Sequence, residues 1–197
     1  MMENGKIRAV FPRLGIDVPT HTFFTTQRRF DRLQPQTGEL MVDVIDVARW
    51  FCLEYRDFYN VEIDEMKLHK LLYLAQRESF VRNDCALFPD EFEAWKYGPV
   101  LVKVRSALRD GMIYDASSCL ADKDLAVLRY VFDAYAGKTS WSLSRLTHAE
   151  TSWKKARGGL PDWERSDAIM NTDDIRVDAE NIARRRAALS RLGLVCA

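Results

Sequence analysis

Few side chains in this 197-residue chain have the type and spacing that catalysis needs. His148 follows Thr147 and precedes Glu150 by two residues, which makes it the best candidate for a general base. A catalytic histidine also needs a nucleophile and an orienting acid close in space. Cys85 and Cys119 come from predicted loops, but no neighbouring residue marks either thiol as activated. We therefore predict a structural role for His148, either a hydrogen bond or a polar cluster, and no enzyme activity.

Signatures for metals, phosphates and cofactors are missing from the sequence. His69 and His148 form no H-E-x-x-H or H-x-H pattern, and the four cysteines include no C-x-x-C pair. Arg157-Gly158-Gly159 lacks the lysine and the preceding strand of a phosphate loop, so it is better interpreted as a helix end with glycine stops. The polar cluster expected around His148 would include Arg157. The sequence predicts no metal and no cofactor.

A segment with two aromatic residues, a glycine and a proline stands out instead. Trp95 and Tyr97 fall on one face of an extended segment, and Gly98 and Pro99 follow at once. Tryptophan and tyrosine dominate binding hot spots, but buried aromatic residues more often belong to a core. We favour packing of both rings against the second helix, where they would fix the turn from the strand to the next helix. Pro99 suits the first position of a helix, and a glycine before proline usually meets a backbone need.

The distribution of charge limits the classes of partner. The net charge is zero, which disfavours sequence-independent binding to nucleic acid or to an anionic membrane. Residues 41–150 contain fourteen basic and eighteen acidic residues, a net charge of −4, and both flanking regions are basic. Arg184-Arg185-Arg186 spans about 200° of a helix, so we expect one arginine to lie along apolar surface or to pair with an acid. The N-terminus resembles no secretion signal, no apolar run reaches about 18 residues, and we expect a reducing cytoplasm.

Periodicity predicts a mainly α fold, a single globular helical domain of six or seven helices with a small two-stranded β-element. The β-element would pair a strand at 92–97 with one at 112–114. Residues 1–40 contain three prolines and a β-prone run at 22–26, so they are expected to form an irregular arm before a domain at 41–197. Helices are predicted at about 41–58, 65–82, 99–110, 122–136 and 142–148, with a short helical turn ending at Gly158 and a last helix from 171 to 192. On the second helix, Lys67, Lys70 and Arg77 lie largely outside the inner, apolar face. The predicted helix caps are Asp64, Asp122, Thr151 or Ser152, and Asn171 or Thr172.

Three sequence blocks occur in an order that is typical of one family. They run from Lys67 to Gln76, from Phe92 to Val100 and from Leu146 to Gly158. Together they resemble the Panacea antitoxin domain, whose phage-associated and chromosomal members are also described as GepA-like or SocA-like. The blocks span about ninety residues, and the domain is expected to extend from Met41 to about Leu192. Residues 1–40 lie outside it.

The resemblance implies an antitoxin that neutralises a toxin encoded beside it by direct protein binding. It also implies a second mode, because the SocA-like branch acts as a proteolytic adaptor to a ClpXP-type protease. The candidate surface surrounds Lys70, Trp95, Tyr97 and His148, which would meet if the second helix packs on the strand. An alternative is a DNA-binding regulator with the β-element as the wing of a winged helix. The family motif positions are Lys70, Trp95, Tyr97, Gly98, Pro99, Thr147, His148, Trp153, Arg157 and Gly158.

Overall fold

The computed structural model describes residues 41–114 and 120–194. These residues form seven α-helices and a two-stranded antiparallel sheet, which confirms the mainly α prediction. None of these helices is long and apolar enough to span a lipid bilayer. The predicted arm at 1–40 lies outside the described residues. The elements are α1 (Val44–Tyr59), α2 (Glu65–Asn83), β1 (Glu93–Trp95), β2 (Gly98–Val100), α3 (Val102–Arg109), α4 (Asp122–Tyr135), α5 (Ser140–His148), α6 (Thr151–Arg157) and α7 (Thr172–Arg191).

Helix α2 is the centre of the fold. Asp64 begins it, as predicted, and its carboxylate accepts a hydrogen bond from the backbone N–H of Lys67 at 2.9 Å. The other helices α1, α4, α5 and α7 and the strand β2 all pack against it. The sequence prediction left Lys67, Lys70 and Arg77 largely outside the inner face, and this was wrong, because all three are buried. A helix that is covered on every side buries its polar face as well as its apolar one.

The β-element is a tight hairpin. Strand β1 pairs with β2 in the register Glu93 to Val100 and Trp95 to Gly98, so only two residues form the turn. The predicted pairing with 112–114 was wrong, because those residues form a single turn of 3₁₀ helix. Gly98 has a φ of 103°, a conformation that lets the chain reverse immediately after Tyr97.

Pro99 lies in β2, and helix α3 begins only at Val102, so the predicted helix start at Pro99 was also wrong. The backbone N–H of Ala94, opposite Pro99, donates to the carbonyl oxygen of Ala168 at 2.8 Å. The segment around Ala168 therefore supports β1 by hydrogen bonds to its backbone.

Two helix starts differ from the prediction for an electrostatic reason. Helix α6 follows Glu150 instead of being capped by Thr151 or Ser152. The backbone N–H groups of Thr151 and Ser152 donate to the carboxylate of Asp178 in α7, at 2.7 and 2.9 Å. An acid from another helix thus replaces the local cap. Helix α4 follows Ala121, which leaves the predicted cap Asp122 in the first helical turn.

Candidate partner-binding site

Helix α2 holds the second half of the hairpin through two buried side chains. The Nζ of Lys70 donates a hydrogen bond to the carbonyl oxygen of Pro99 at 2.9 Å. The Nδ1 of His69 accepts one from the backbone N–H of Leu101 at 3.3 Å. Burial lowers the pKa of Lys70 to about 7 and also lowers the pKa of His69. Both side chains thus bond to backbone atoms while lying in surroundings that disfavour their charged forms.

Helix α6 holds the first half of the hairpin. The indole Nε1 of Trp153 donates to the carbonyl oxygen of Trp95 at 3.1 Å. The guanidinium of Arg157 donates to the carbonyl oxygen of Ala94 at 3.1 Å and lies 4.8 Å from the Trp153 ring centre. Gly158 then ends α6 in the left-handed conformation, as the sequence predicted for this glycine. The second and third sequence blocks therefore meet through hydrogen bonds to strand β1.

Helix α5 supports the turn between the two strands. The hydroxyl of Ser144 donates to the carbonyl oxygen of Tyr97 at 2.9 Å. Thr147 is buried, and its hydroxyl donates to the carbonyl oxygen of Ser144 at 3.0 Å. A Cβ at Gly98 would lie 2.7 Å from the Oγ1 of Thr147 and 2.7 Å from the Cε of Lys70. Glycine is therefore required at position 98 by its φ angle and by the space that α2 and α5 leave.

His148 lies in an arrangement that looks like a catalytic triad but lacks its geometry. Its Nε2 is 3.5 Å from the hydroxyl of Ser144, and its Nδ1 is 3.8 Å from the carboxylate of the exposed Asp162. Both distances exceed hydrogen-bond contact, and the Ser144 hydroxyl proton already serves the carbonyl oxygen of Tyr97. The imidazole instead stacks on Trp153, with ring centres 4.0 Å apart and planes 9° apart. His148 and Arg157 thus contact the same indole.

The described cysteines offer no activated nucleophile. Cys52 and Cys85 are both unpaired thiols. Burial raises the pKa of Cys52 to about 12, which is the opposite of what a reactive thiol needs. Within residues 41–114 and 120–194, no group of three or more His, Cys, Asp or Glu side chains is placed to hold a metal ion. Cys119 and Cys196 lie outside the described residues.

The surface of this region is aromatic. Tyr97 is 46% exposed and Trp141 is 61% exposed, and their rings meet edge to face with centres 5.4 Å apart. Trp95 is half-buried under the guanidinium of Arg105, which lies 5.0 Å from its ring centre. The predicted core packing was therefore wrong for Tyr97, whereas Trp95 is partly buried. Sequence reasoning also missed Trp141, although a tryptophan outside the apolar face of α5 was a signal for it.

A cleft of about 980 Å³ opens beside the hairpin. Its buried lining includes His69 and Lys70 from α2, and its outer lining includes Trp95 and Tyr97. Eight of the ten candidate residues divide into two groups, while His148 is partly buried and Gly158 is exposed at the end of α6. Tyr97 and Trp95 reach the surface, while a buried group supports the hairpin from behind: Lys70, Gly98, Pro99, Thr147, Trp153 and Arg157.

Comparison with known proteins gives one match. Residues 68–154 match the sequence model of a family described as antitoxin SocA-like, Panacea domain. No curated protein and no solved structure matches the chain. The matched segment extends from the first turn of α2 to the middle of α6, so it includes the hairpin and most of the helices that hold it. The family predicted from the three sequence blocks is confirmed by this match, which covers residues 68–154.

Proposed function

We propose that this protein is an antitoxin that neutralises a toxin encoded beside it by binding the toxin directly. The main support is the match of residues 68–154 to the SocA-like antitoxin domain. The structure adds a physical reason for binding instead of catalysis. The indole N–H of Trp153 and the guanidinium of Arg157 donate to backbone carbonyl groups of strand β1, so these motif residues already serve to hold the hairpin.

The proposed contact surface is the aromatic patch, which we define as Trp95, Lys96, Tyr97 and Trp141. Tyrosine and tryptophan supply large contact areas at a small entropic cost and are enriched at binding hot spots. The scaffold behind the hairpin fixes its backbone before any partner arrives, which reduces the free energy needed to order the interface. A stable interface buries about 800 Å² on each partner. The patch would form its centre, and neighbouring surface would supply the remainder.

Two modes of neutralisation are consistent with the family. The antitoxin can block the active surface of the toxin, or it can deliver the toxin to a ClpXP-type protease. Both modes need the same first step, the binding of the toxin to the antitoxin. Both place the protein in the cytoplasm with its toxin. Residues 1–40 are proposed to influence which toxin is recognised, and a chain that lacked them but still neutralised the toxin fully would contradict this role.

The test is coexpression with the neighbouring gene. That gene is expressed alone, with this protein, and with the double variant Tyr97→Ala, Trp141→Ala. Growth and the level of the neighbouring protein are followed together. The control is Phe58→Ala, which removes a comparably exposed aromatic ring from α1, outside the patch. We expect rescue by the wild type and by the control, and little rescue by the double variant.

The fate of the neighbouring protein separates the two modes. Rescue while the toxin stays abundant indicates blocking. Rescue with protease-dependent loss of the toxin indicates delivery. A neighbour that is harmless alone, or that stays toxic in the pair, contradicts the antitoxin proposal. DNA binding should then be tested by the salt dependence of retention on a DNA column.

A further inference from the structure

The cleft beside the hairpin is locally cationic in a chain of zero net charge. Its lining contains four basic side chains, Lys70, Lys96, Arg105 and Arg165, and two acidic ones. Arg105 pairs with the carboxylate of Glu65 at 2.6 Å. Among the residues that the structure describes, Lys96 and Arg165 have no carboxylate partner. Asp167 is the one acid of the lining without a cation partner in the described part of the chain, so the unpaired cations of the cleft still outnumber its unpaired acids.

Lys70 is the most constrained of these cations. Its side chain is 1% exposed, and its only hydrogen bond within the described part of the chain goes to the carbonyl oxygen of Pro99. A lysine ammonium has three donors, so two remain for another acceptor. Burial disfavours the charge and lowers the pKa of Lys70 to about 7. A negatively charged group at this position would compensate for the lost hydration and favour the protonated ammonium.

His69 supplies a second unused donor in the same cleft. Its Nδ1 accepts a hydrogen bond from Leu101, so the neutral ring carries its proton on Nε2. This buried Nε2 has no hydrogen-bond partner among residues 41–114 and 120–194. The nearest carboxylate oxygen belongs to Glu65, at 3.8 Å, and that oxygen already accepts from Arg105. A buried N–H without an acceptor costs free energy that an incoming acceptor would recover.

We propose that this cleft is a carboxylate-binding site, in which the Nζ of Lys70 and the Nε2–H of His69 donate to a carboxylate of the bound toxin. The identity of the partner rests on the proposed antitoxin function, whereas the ligand chemistry rests on the cleft alone. Lys96 and Arg165 attract the anion toward the cleft. The apolar side chains of Met66 and Val100 also line the cleft and would contact the aliphatic stem that carries the carboxylate.

The experiment has a peptide arm and a toxin arm, both with the full chain. In the first arm, four probes are titrated while the side-chain NMR signals of Lys70 and His69 are followed. They are a capped tripeptide with one glutamate, a capped glutamine tripeptide, the glutamine tripeptide with a free terminal carboxylate, and inorganic phosphate. In the second arm, the affinity for the product of the neighbouring gene is measured by calorimetry.

Three variants are compared with the wild type. Lys70→Met removes the buried ammonium with little change of shape. Arg165→Gln removes an exposed cation of the cleft and keeps the proposal testable if Lys70→Met does not fold. Lys138→Met is the control, because Lys138 is an exposed lysine outside the cleft lining. We expect carboxylate binding to weaken about tenfold or more in Lys70→Met and severalfold in Arg165→Gln, with no change in Lys138→Met.

The outcomes separate the two proposals. Binding of the glutamate peptide indicates a side-chain carboxylate, and binding of the uncapped peptide indicates a chain terminus. Binding of phosphate alone, binding of the neutral peptide as tightly as the others, or no binding at all overturns the carboxylate site. Toxin that binds Lys70→Met and Arg165→Gln as tightly as wild type also overturns it, while the antitoxin function stands. Carboxylate binding without any toxin binding removes the antitoxin function and leaves the site.

Discussion

The protein contains two buried polar regions that differ in what their side chains hold. Around the hairpin, donors from three helices bind backbone oxygens, as when Lys70 bonds to Pro99 and Trp153 to Trp95. On the other side of α2, side chains bind side chains. Arg77 there forms an ion pair with Glu150.

The second region, which we call the interhelical network, connects α2 with the helices behind it. Tyr73 bonds to Ser152 at 2.9 Å and to the carboxylate of Asp178 at 3.2 Å. Glu78 accepts two hydrogen bonds from Arg186 of α7, at 2.8 and 2.9 Å. Arg186 belongs to the basic run of which one member was expected to pair with an acid. The network thus fixes helices against each other.

The two regions have different consequences, because one stabilises the packing of helices and the other holds surface residues in place for a partner. A side chain that binds another side chain stabilises the packing of two helices and presents nothing to solvent. A side chain that binds a main-chain oxygen fixes the path of the backbone and leaves the residues of that backbone free to point outward. We therefore expect substitutions in the network to change mainly stability. Substitutions at the hairpin surface should change mainly binding.

The largest effect is expected from Arg77→Met in the network. Burial already raises the pKa of Glu150, and without the guanidinium its charge would lack its partner. We expect a loss of about 4 kcal/mol in the free energy of unfolding, measured by urea denaturation. The double variant Arg77→Met, Glu150→Gln should recover part of that loss. Toxin affinity per folded molecule should be unchanged, and a large loss of affinity would show that the two regions are not separate.

The next effect is expected from Gly98→Ala behind the hairpin. The new Cβ would meet Lys70 and Thr147 at 2.7 Å in a backbone conformation that alanine rarely adopts. We expect a loss of about 3 kcal/mol in the free energy of unfolding. Gly159→Ala is the matched control, since Gly159 also has a positive φ but nothing within 4 Å of its Cβ position. It should lose only about 1 kcal/mol. If both variants lost the same free energy of unfolding, the close contacts with Lys70 and Thr147 would not matter, and the φ angle alone would explain the need for glycine.

A smaller effect, of opposite kind, is expected at the aromatic patch. The double variant Tyr97→Ala, Trp141→Ala removes two exposed rings that contact each other. We expect a loss of about 2 kcal/mol or more in toxin binding, measured by calorimetry. The free energy of unfolding should change by less than about 0.5 kcal/mol, as for most surface substitutions. If the double variant were strongly destabilised while its affinity for the toxin stayed the same, these rings would serve the stability of the fold and not binding.

The smallest effect concerns pH. The folded-state pKa of Lys70 is about 7, below its ordinary value of 10.5. Between these values the unfolded chain holds the proton that the folded chain has released, so stability rises with pH. From pH 7 to 8.5 we expect a gain of about 1.5 kcal/mol in the free energy of unfolding, and Lys70→Met should lose this gain. The window ends at pH 8.5 because the raised pKa of Cys52 opposes the trend above its ordinary value of 9.0. If the free energy of unfolding changed with pH in the same way for the wild type and for Lys70→Met, the lowered pKa of Lys70 would be contradicted.

Much of the fold was readable from the sequence because its signals are local. The apolar period of α1 and α2, the cap at Asn171 and the glycine stop at Gly158 depend on neighbours a few residues away. The predictions were wrong where the local structure depends on residues that are distant in the sequence. The capping of α6 by Asp178 and the burial of polar residues on α2 depend on how the helices are arranged in space.

The candidate site was readable only in part, for the same reason. The three blocks predicted the family and located the hairpin. They did not predict that Tyr97 and Trp95 would reach the surface while Thr147 and Trp153 are buried. Trp141 lies between the second and third blocks, so the family pattern does not include it, and its place outside the apolar face of α5 was the one local signal. Its role depends on the contact with Tyr97, which is 44 residues away in the chain.

The hydrogen bonds that hold the backbone of the hairpin have a consequence for how far its surface residues can vary in sequence. Every amino acid has the same carbonyl oxygen, so the bonds that Ser144 and Trp153 make do not depend on which side chains follow β1. Positions 96 and 97 can therefore be exchanged without loosening the framework behind them, and position 141 is an exposed position of α5 that contacts Tyr97. The hairpin is a natural place to build a library. Selection on these three positions, with the buried residues unchanged, would test whether this surface determines which partner is bound.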